Sequence, residues 1–153
     1  MIDLNKIKLK KQRHVWSCGL ACVAMISREA YNNVIDDYWD QENDEIFWKW
    51  IEERKTWQLG YGTTTKDLHN LLDGYGIETN KRCVPYKGSD KLPDLSILVV
   101  MKRKEVQNGR KETCWHWVVC KRVGRNFKVL DPWYGERTLK DCGKINSYIR
   151  IHT

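Results

Sequence analysis

At about residue 76 the spacing of apolar residues changes from a helical period to strict alternation, and that change constrains the fold more than any other feature. Upstream, residues 17–30 (SCGLACVAMISREA) place Leu20, Ala21, Ala24 and Met25 on one stripe, with Ser17 as the expected N-cap. Residues 43–55 put Ile46, Phe47, Trp50 and Ile51 on a second stripe, with acids in the first turn. A third helix is expected from about Thr64 to Gly74, with Leu68, Leu71 and Leu72 inward and Gly76 as its stop. Downstream, residues 83–86, 96–101, 115–121 and 126–131 are rich in Val, Ile and Trp and read as strands. Residues 145–151 alternate weakly and read as a last one. Helices first and strands second predict an α+β fold, with the helices packed on an antiparallel sheet. No repeat or linker interrupts the 153 residues, so residues 1–153 form one expected domain carrying a basic N-terminal segment, 1–11. A chain of this length buries enough surface to fold without metal or disulfide staples.

Twenty-seven Lys and Arg against 20 Asp and Glu leave a net charge of +7. Residues 1–13 carry +4 of this and residues 102–112 the other +3. No nucleic-acid-binding motif accompanies either segment, so both read as solvated loops and nucleic acid is not the expected partner. Six Cys are present without the two tight pairs of a structural zinc site. Cys114, His116 and Cys120 share a strand face but span about 20 Å at the usual rise, too far for one ion. No metal or cofactor is therefore expected. KIKLKKQRH followed by VWSCGLACVAMI mimics the start of a secretory signal. Polar Ser27, Arg28 and Glu29 follow in place of a small-residue cleavage site. No apolar run reaches the length of a membrane span, and the expectation is a cytoplasmic protein with free thiols.

A nucleophilic thiol needs a lowered pKa, a base for its proton and donors for a developing oxyanion. Cys18 stands at the first turn of the first expected helix, where unpaired N–H groups favour a thiolate. Its own N–H and the side-chain amide of Gln12, six residues upstream, are candidate oxyanion donors. Of four His, only His116 lies in an apolar strand (CWHWVVC), where a titratable ring needs a partner. The next strand ends at Asp131, in VLDPWYG. A two-residue turn near Val123, Gly124 and Arg125 makes opposed residues sum to an odd number. His116, Val118 and Cys120 then share a face with Phe127, Val129 and Asp131, and His116 comes within reach of Asp131.

These residues also carry a resemblance. QRHVWSCGLACVAMIS resembles the N-terminal motif of the bacteriocin-processing, double-glycine peptidases, a branch of the papain-like cysteine peptidases. TTTKDLHNLLDGYGIET looks like that family's Thr-capped helix, and HWVVCKRVGRNFKVLDPWYG is similar to its His strand, hairpin and Asp-Pro ending. The resemblance covers roughly residues 12–135. It implies a papain-like fold, Cys18 as nucleophile, His116 as general base and acid, Asp131 as its orienting residue, and Gln12 in the oxyanion hole. The implied activity is hydrolysis of a peptide or protein substrate through a thioester. Acyl transfer or deamidation on the same fold, and a non-catalytic binding module, are the alternatives. Ser17 departs from the Asp that often precedes the family's nucleophile, and specificity for double-glycine leaders is not carried over. Trp16 and the Cys-Gly-Leu-Ala-Cys run also resemble the start of the guanylyl-cyclase-like domain family. No Gly-rich phosphate loop or paired carboxylates for Mg²⁺ accompany it.

Overall fold

The structure is a computed structural model, and it describes residues 2–13, 17–42, 63–88, 91–106 and 110–153. The architecture is α+β. Three helices, α1 (Cys18–Ser27), α2 (Tyr31–Glu42) and α3 (Thr65–Gly74), precede a six-stranded sheet among the described residues. The strands are β1 (Val84–Pro85), β2 (Leu95–Val106), β3 (Arg110–Val123), β4 (Asn126–Asp131), β5 (Gly135–Thr138) and β6 (Lys144–Arg150). Their spatial order is β1-β6-β2-β3-β4-β5, and every neighbouring pair is antiparallel. The expected helix over residues 43–55 lies outside the described residues. The expected strands at 96–101 and 115–121 are the inner parts of a longer hairpin, and β5 was not foreseen.

The apolar run 97–100 is continuous because both faces of the sheet are covered. Ile97 and Val99 join Trp117, Val119, Leu130 and Ile149 under the helices, while Leu98 and Val100 join Val118, Cys120, Val129 and Cys142 on the far side. Helix α1 lies at the centre of the first cluster, with every residue from Cys18 to Ile26 buried. Helix α2 adds Tyr31, Val34, Ile35 and Tyr38, and α3 adds Leu68, Leu71 and Leu72. A capping box starts α3: Thr64 Oγ1 accepts from Asp67 N–H at 3.2 Å, and Asp67 Oδ2 accepts from Thr64 N–H at 2.8 Å. Gly76 ends it at φ +77°, a conformation that favours glycine.

Helix α1 closes on the start of α3 where it carries Gly19. A Cβ there would stand 2.3 Å from Thr63 Oγ1 and 3.1 Å from Leu68 Cδ2. Gly19→Ala is expected to cost about 1–3 kcal/mol of stability by overpacking, read as a lower melting temperature. An unchanged melting curve would contradict this close approach.

The N-terminal segment is not the solvated loop that its charge suggests. Ile7 is fully buried in the main core, and the Lys121 ammonium donates to the carbonyls of Leu4 at 3.0 Å and Ile7 at 2.8 Å. Lys10 donates to the carbonyls of Ala24, in the last turn of α1, and of Glu29, just beyond its end. Cations here satisfy main-chain oxygens that the packed segment would otherwise bury unpaired. Among the described residues no helix is long and apolar enough to cross a membrane.

Candidate functional site

The β3–β4 hairpin turns through Gly124 and Arg125, with Val123 opposite Asn126 and Gly124 at φ +62°, as a type II′ turn requires. Opposed residues accordingly sum to an odd number: Cys120 faces Val129, and Val119 faces Leu130. Pro132 follows the last residue of β4 and cannot donate to the ladder. His116 and Asp131 therefore lie diagonally on one face at the end of the sheet. The His116 Nε2 to Asp131 Oδ1 distance is 2.6 Å, and both side chains are fully buried.

The same oxygen accepts the main-chain N–H groups of Trp133 at 2.9 Å and Tyr134 at 3.1 Å. Arg137 Nη1 stands 3.7 Å from Asp131 Oδ2. Burial pushes this carboxyl up, but the His116 bond and charge and the two N–H groups outweigh it and hold the pKa lowered to about 2. An ionised Asp131 accepting from Nε2 fixes the tautomer in which that nitrogen carries a proton. His116 Nδ1 is then the basic nitrogen; it is buried and makes no hydrogen bond among the described residues. The Tyr134 ring stands edge-on to the imidazole at 6.4 Å between centroids.

Cys18 opens α1, as expected, but its thiol is not in the expected state. The residue is 0% exposed. Burial pushes the thiol up to about 12, against the main-chain N–H groups of Trp117, Gly19 and Cys18 itself, which favour the thiolate. Helix-end donors are present as anticipated, and desolvation outweighs them. The sulfur makes no hydrogen bond to His116. It lies at the main chain of the residue following His116 and feels the charge of Asp131. Cys22, one turn on, is also buried and raised well above the ordinary thiol range, by burial first and then by Cys18 and Asp131.

Iodoacetamide supplies a direct check on this state. At pH about 8 a thiol with a pKa of about 12 is a thiolate in roughly one molecule in 10⁴. Half-buried Cys83 is expected to react before Cys18, which should be slower by about a hundredfold or more, with the difference abolished by denaturant. Equal labelling of the two in the folded protein would contradict the buried, protonated thiol.

Gln12 is nearly buried, and its main-chain N–H donates to the Pro132 carbonyl at 3.0 Å. The N-terminal segment is thereby fastened to the turn that follows Asp131. Ser17 occupies the N-cap position without capping. Its hydroxyl instead meets the Tyr31 hydroxyl at the start of α2, which also accepts the Arg13 N–H at 3.2 Å. Tyr31 thus ties Arg13 and Ser17 together on the approach to Cys18. No local pattern marks this role, because the contact spans 14 residues.

The remaining candidates lie elsewhere. His14 and Trp16 are outside the described residues. His69 bonds Thr79 Oγ1 at 3.0 Å on α3, and His152 lies near the C-terminus against Glu78. Cys18, Cys22, Cys83, Cys120 and Cys142 are free thiols. Among the described residues no group of three or more His, Cys, Asp or Glu is placed to hold a metal ion. Neither models of known protein families nor curated protein sequences give a match to the chain.

Proposed function

We propose that the protein is a papain-like cysteine peptidase that hydrolyses peptide or protein substrates through a Cys18 thioester. One observation carries the reading: a fully buried His116–Asp131 pair at 2.6 Å, with the second imidazole nitrogen left for proton transfer. Cys18 opens a buried helix, and its sulfur lies at the main chain next to that histidine. Burying an ionised carboxylate with its hydrogen-bonded imidazole in the sheet is costly and rarely improves stability over an apolar alternative, which supports a chemical role.

The thiol is protonated at rest, so attack begins as general-base catalysis. As Sγ bonds to the substrate carbonyl carbon, His116 Nδ1 takes its proton and Asp131 stabilises the imidazolium. The carbonyl electron pair moves to oxygen, facing the Cys18 N–H and the Gln12 amide. Collapse of this intermediate breaks the C–N bond, and His116 returns the proton to the leaving amine. Water then attacks the thioester with His116 again as base. Carboxylic acid leaves, and the thiol is restored.

Unbiased peptide libraries read by mass spectrometry test this directly. The expected result is a set of new termini with the wild type and none with Cys18→Ala or His116→Ala, together with a hydroxylamine-sensitive acyl group on Cys18. An acyl-enzyme that passes its group to added amines but not to water would assign acyl transfer instead. Full burial of Cys18 favours a second reading, a non-catalytic binding module. A thiol that no peptide substrate or peptide electrophile acylates would establish that one.

A further inference from the structure

We infer that the Tyr31 hydroxyl is the positioning group of the oxyanion hole, holding Gln12 and the Cys18 N–H at a fixed separation; the inference rests on the peptidase reading and adds a residue to it. One oxygen on α2 bonds two points of the chain. The Arg13 N–H donates to it at 3.2 Å, and the Ser17 hydroxyl meets it in the core. Gln12 comes immediately before the first of these points and Cys18 immediately after the second. Each candidate oxyanion donor therefore stands one residue, about 3.8 Å of chain, from the clamp. On its other side Gln12 is tied by its own N–H to the Pro132 carbonyl at 3.0 Å, at the turn whose N–H groups bind Asp131. The nucleophile's helix, the Gln12 donor and the His116–Asp131 pair are thus linked by a run of hydrogen bonds in which Tyr31 is the middle member.

The hydroxyl is held firmly enough to act in this way. Tyr31 is buried, and its ring belongs to the main core. The Arg13 guanidinium lies over that ring at 5.6 Å and donates to Asn32 Oδ1 at 3.3 Å. Lys10 fastens the same segment to the corner between α1 and α2. Packing of the ring does not need the oxygen, so the two contributions can be separated by substitution. The bond to Ser17 has a second consequence. A serine at the N-cap position ordinarily accepts the N–H of the second or third helical residue, here Gly19 or Leu20. Turned to Tyr31, Ser17 does not cap, and the Gly19 N–H stays directed at the Cys18 sulfur. A displaced oxyanion donor loses its value only as charge develops on the carbonyl oxygen, so the loss belongs in kcat rather than in KM.

Tyr31→Phe keeps the ring and removes the oxygen, and its kinetics on a peptide that the wild type cleaves test the inference in the wild-type and Gln12→Ala backgrounds. Tyr31→Phe is expected to lower kcat by about ten- to a hundredfold and to leave KM within about twofold. In the Gln12→Ala background the same change should cost less than about threefold, because the amide it positions is already gone. Ser17→Ala opens one arm of the clamp and should follow the same pattern more weakly; it carries the test if circular dichroism shows Tyr31→Phe to be misfolded. Equal losses in both backgrounds, a rise in KM at constant kcat, or unchanged kcat in a folded Tyr31→Phe would overturn the inference while leaving the peptidase reading intact. A wild type that cleaves nothing would remove the peptidase reading, and NMR relaxation of the Gln12 side-chain amide nitrogen then decides on the clamp. Faster motion there in Tyr31→Phe than in the wild type upholds it, and equal motion overturns it.

Discussion

Cys18→Ala is expected to abolish turnover, lowering kcat by about 10⁵-fold, in a chain that stays folded. Every covalent step passes through this sulfur, and the nearest other thiol, Cys22, is buried in the helix behind it. Truncation removes one heavy atom from the core and a weak acceptor from the Trp117 and Gly19 N–H groups. The stability lost should therefore be about 1 kcal/mol. His116→Ala is expected to lower kcat by a comparable factor, because a thiol that starts protonated needs the base more than a preformed thiolate does. The double variant should be no slower than either single one, since nucleophile and base act in the same step. Kinetics of the three variants on one substrate, with melting curves for each, check this. Wild-type turnover in Cys18→Ala, or losses that multiply in the double variant, would remove Cys18 and His116 from their assigned roles.

What could be read from the sequence was whatever depends on local pattern. The hairpin parity needed only a two-residue turn, and Gly124 with Arg125 supplied one, so the meeting of His116 and Asp131 was foreseeable. The capping box at Thr64 and the stop at Gly76 were visible for the same reason. Helix α2 escaped notice although Tyr31, Val34, Ile35 and Tyr38 have helical spacing. Asn32, Asn33, Asp36 and Asp37 fill its outer face with residues more typical of turns. The state of Cys18 was misjudged for a different reason. Helix-end N–H groups follow from position in the chain, but full burial follows from how α1 packs on the sheet. Ser17 shows the same division: its position as N-cap was local, and the capture of its hydroxyl by Tyr31 was not. Nothing local marks Lys121 on β3 as the residue that holds the N-terminal segment against the core through two carbonyls.

Asp131→Ala should be the most destabilising change at the site, costing about 3–5 kcal/mol, a large share of the stability of an ordinary domain. It strands the buried Nε2–H of His116 and takes the acceptor from the Trp133 and Tyr134 N–H groups at once. Asp131→Asn keeps an oxygen for those donors and should lose less. Turnover should survive better in either variant than in Cys18→Ala, since Asp131 orients the base without touching the substrate. The pH dependence separates charge from geometry. The folded-state pKa of Asp131 lies near 2, below the ordinary 3.8, so the folded state binds its proton less readily than the unfolded chain. The stability this contributes is full above pH about 4 and is lost as the pH falls through about 2. A shift of this size corresponds to an effect of order 2 kcal/mol. Denaturant midpoints measured between pH about 5 and 2 should therefore fall more steeply for the wild type than for Asp131→Asn, which has no carboxyl to protonate. Parallel curves would mean that the ionised carboxylate contributes nothing to holding His116, and the orienting role would have to pass to the turn itself.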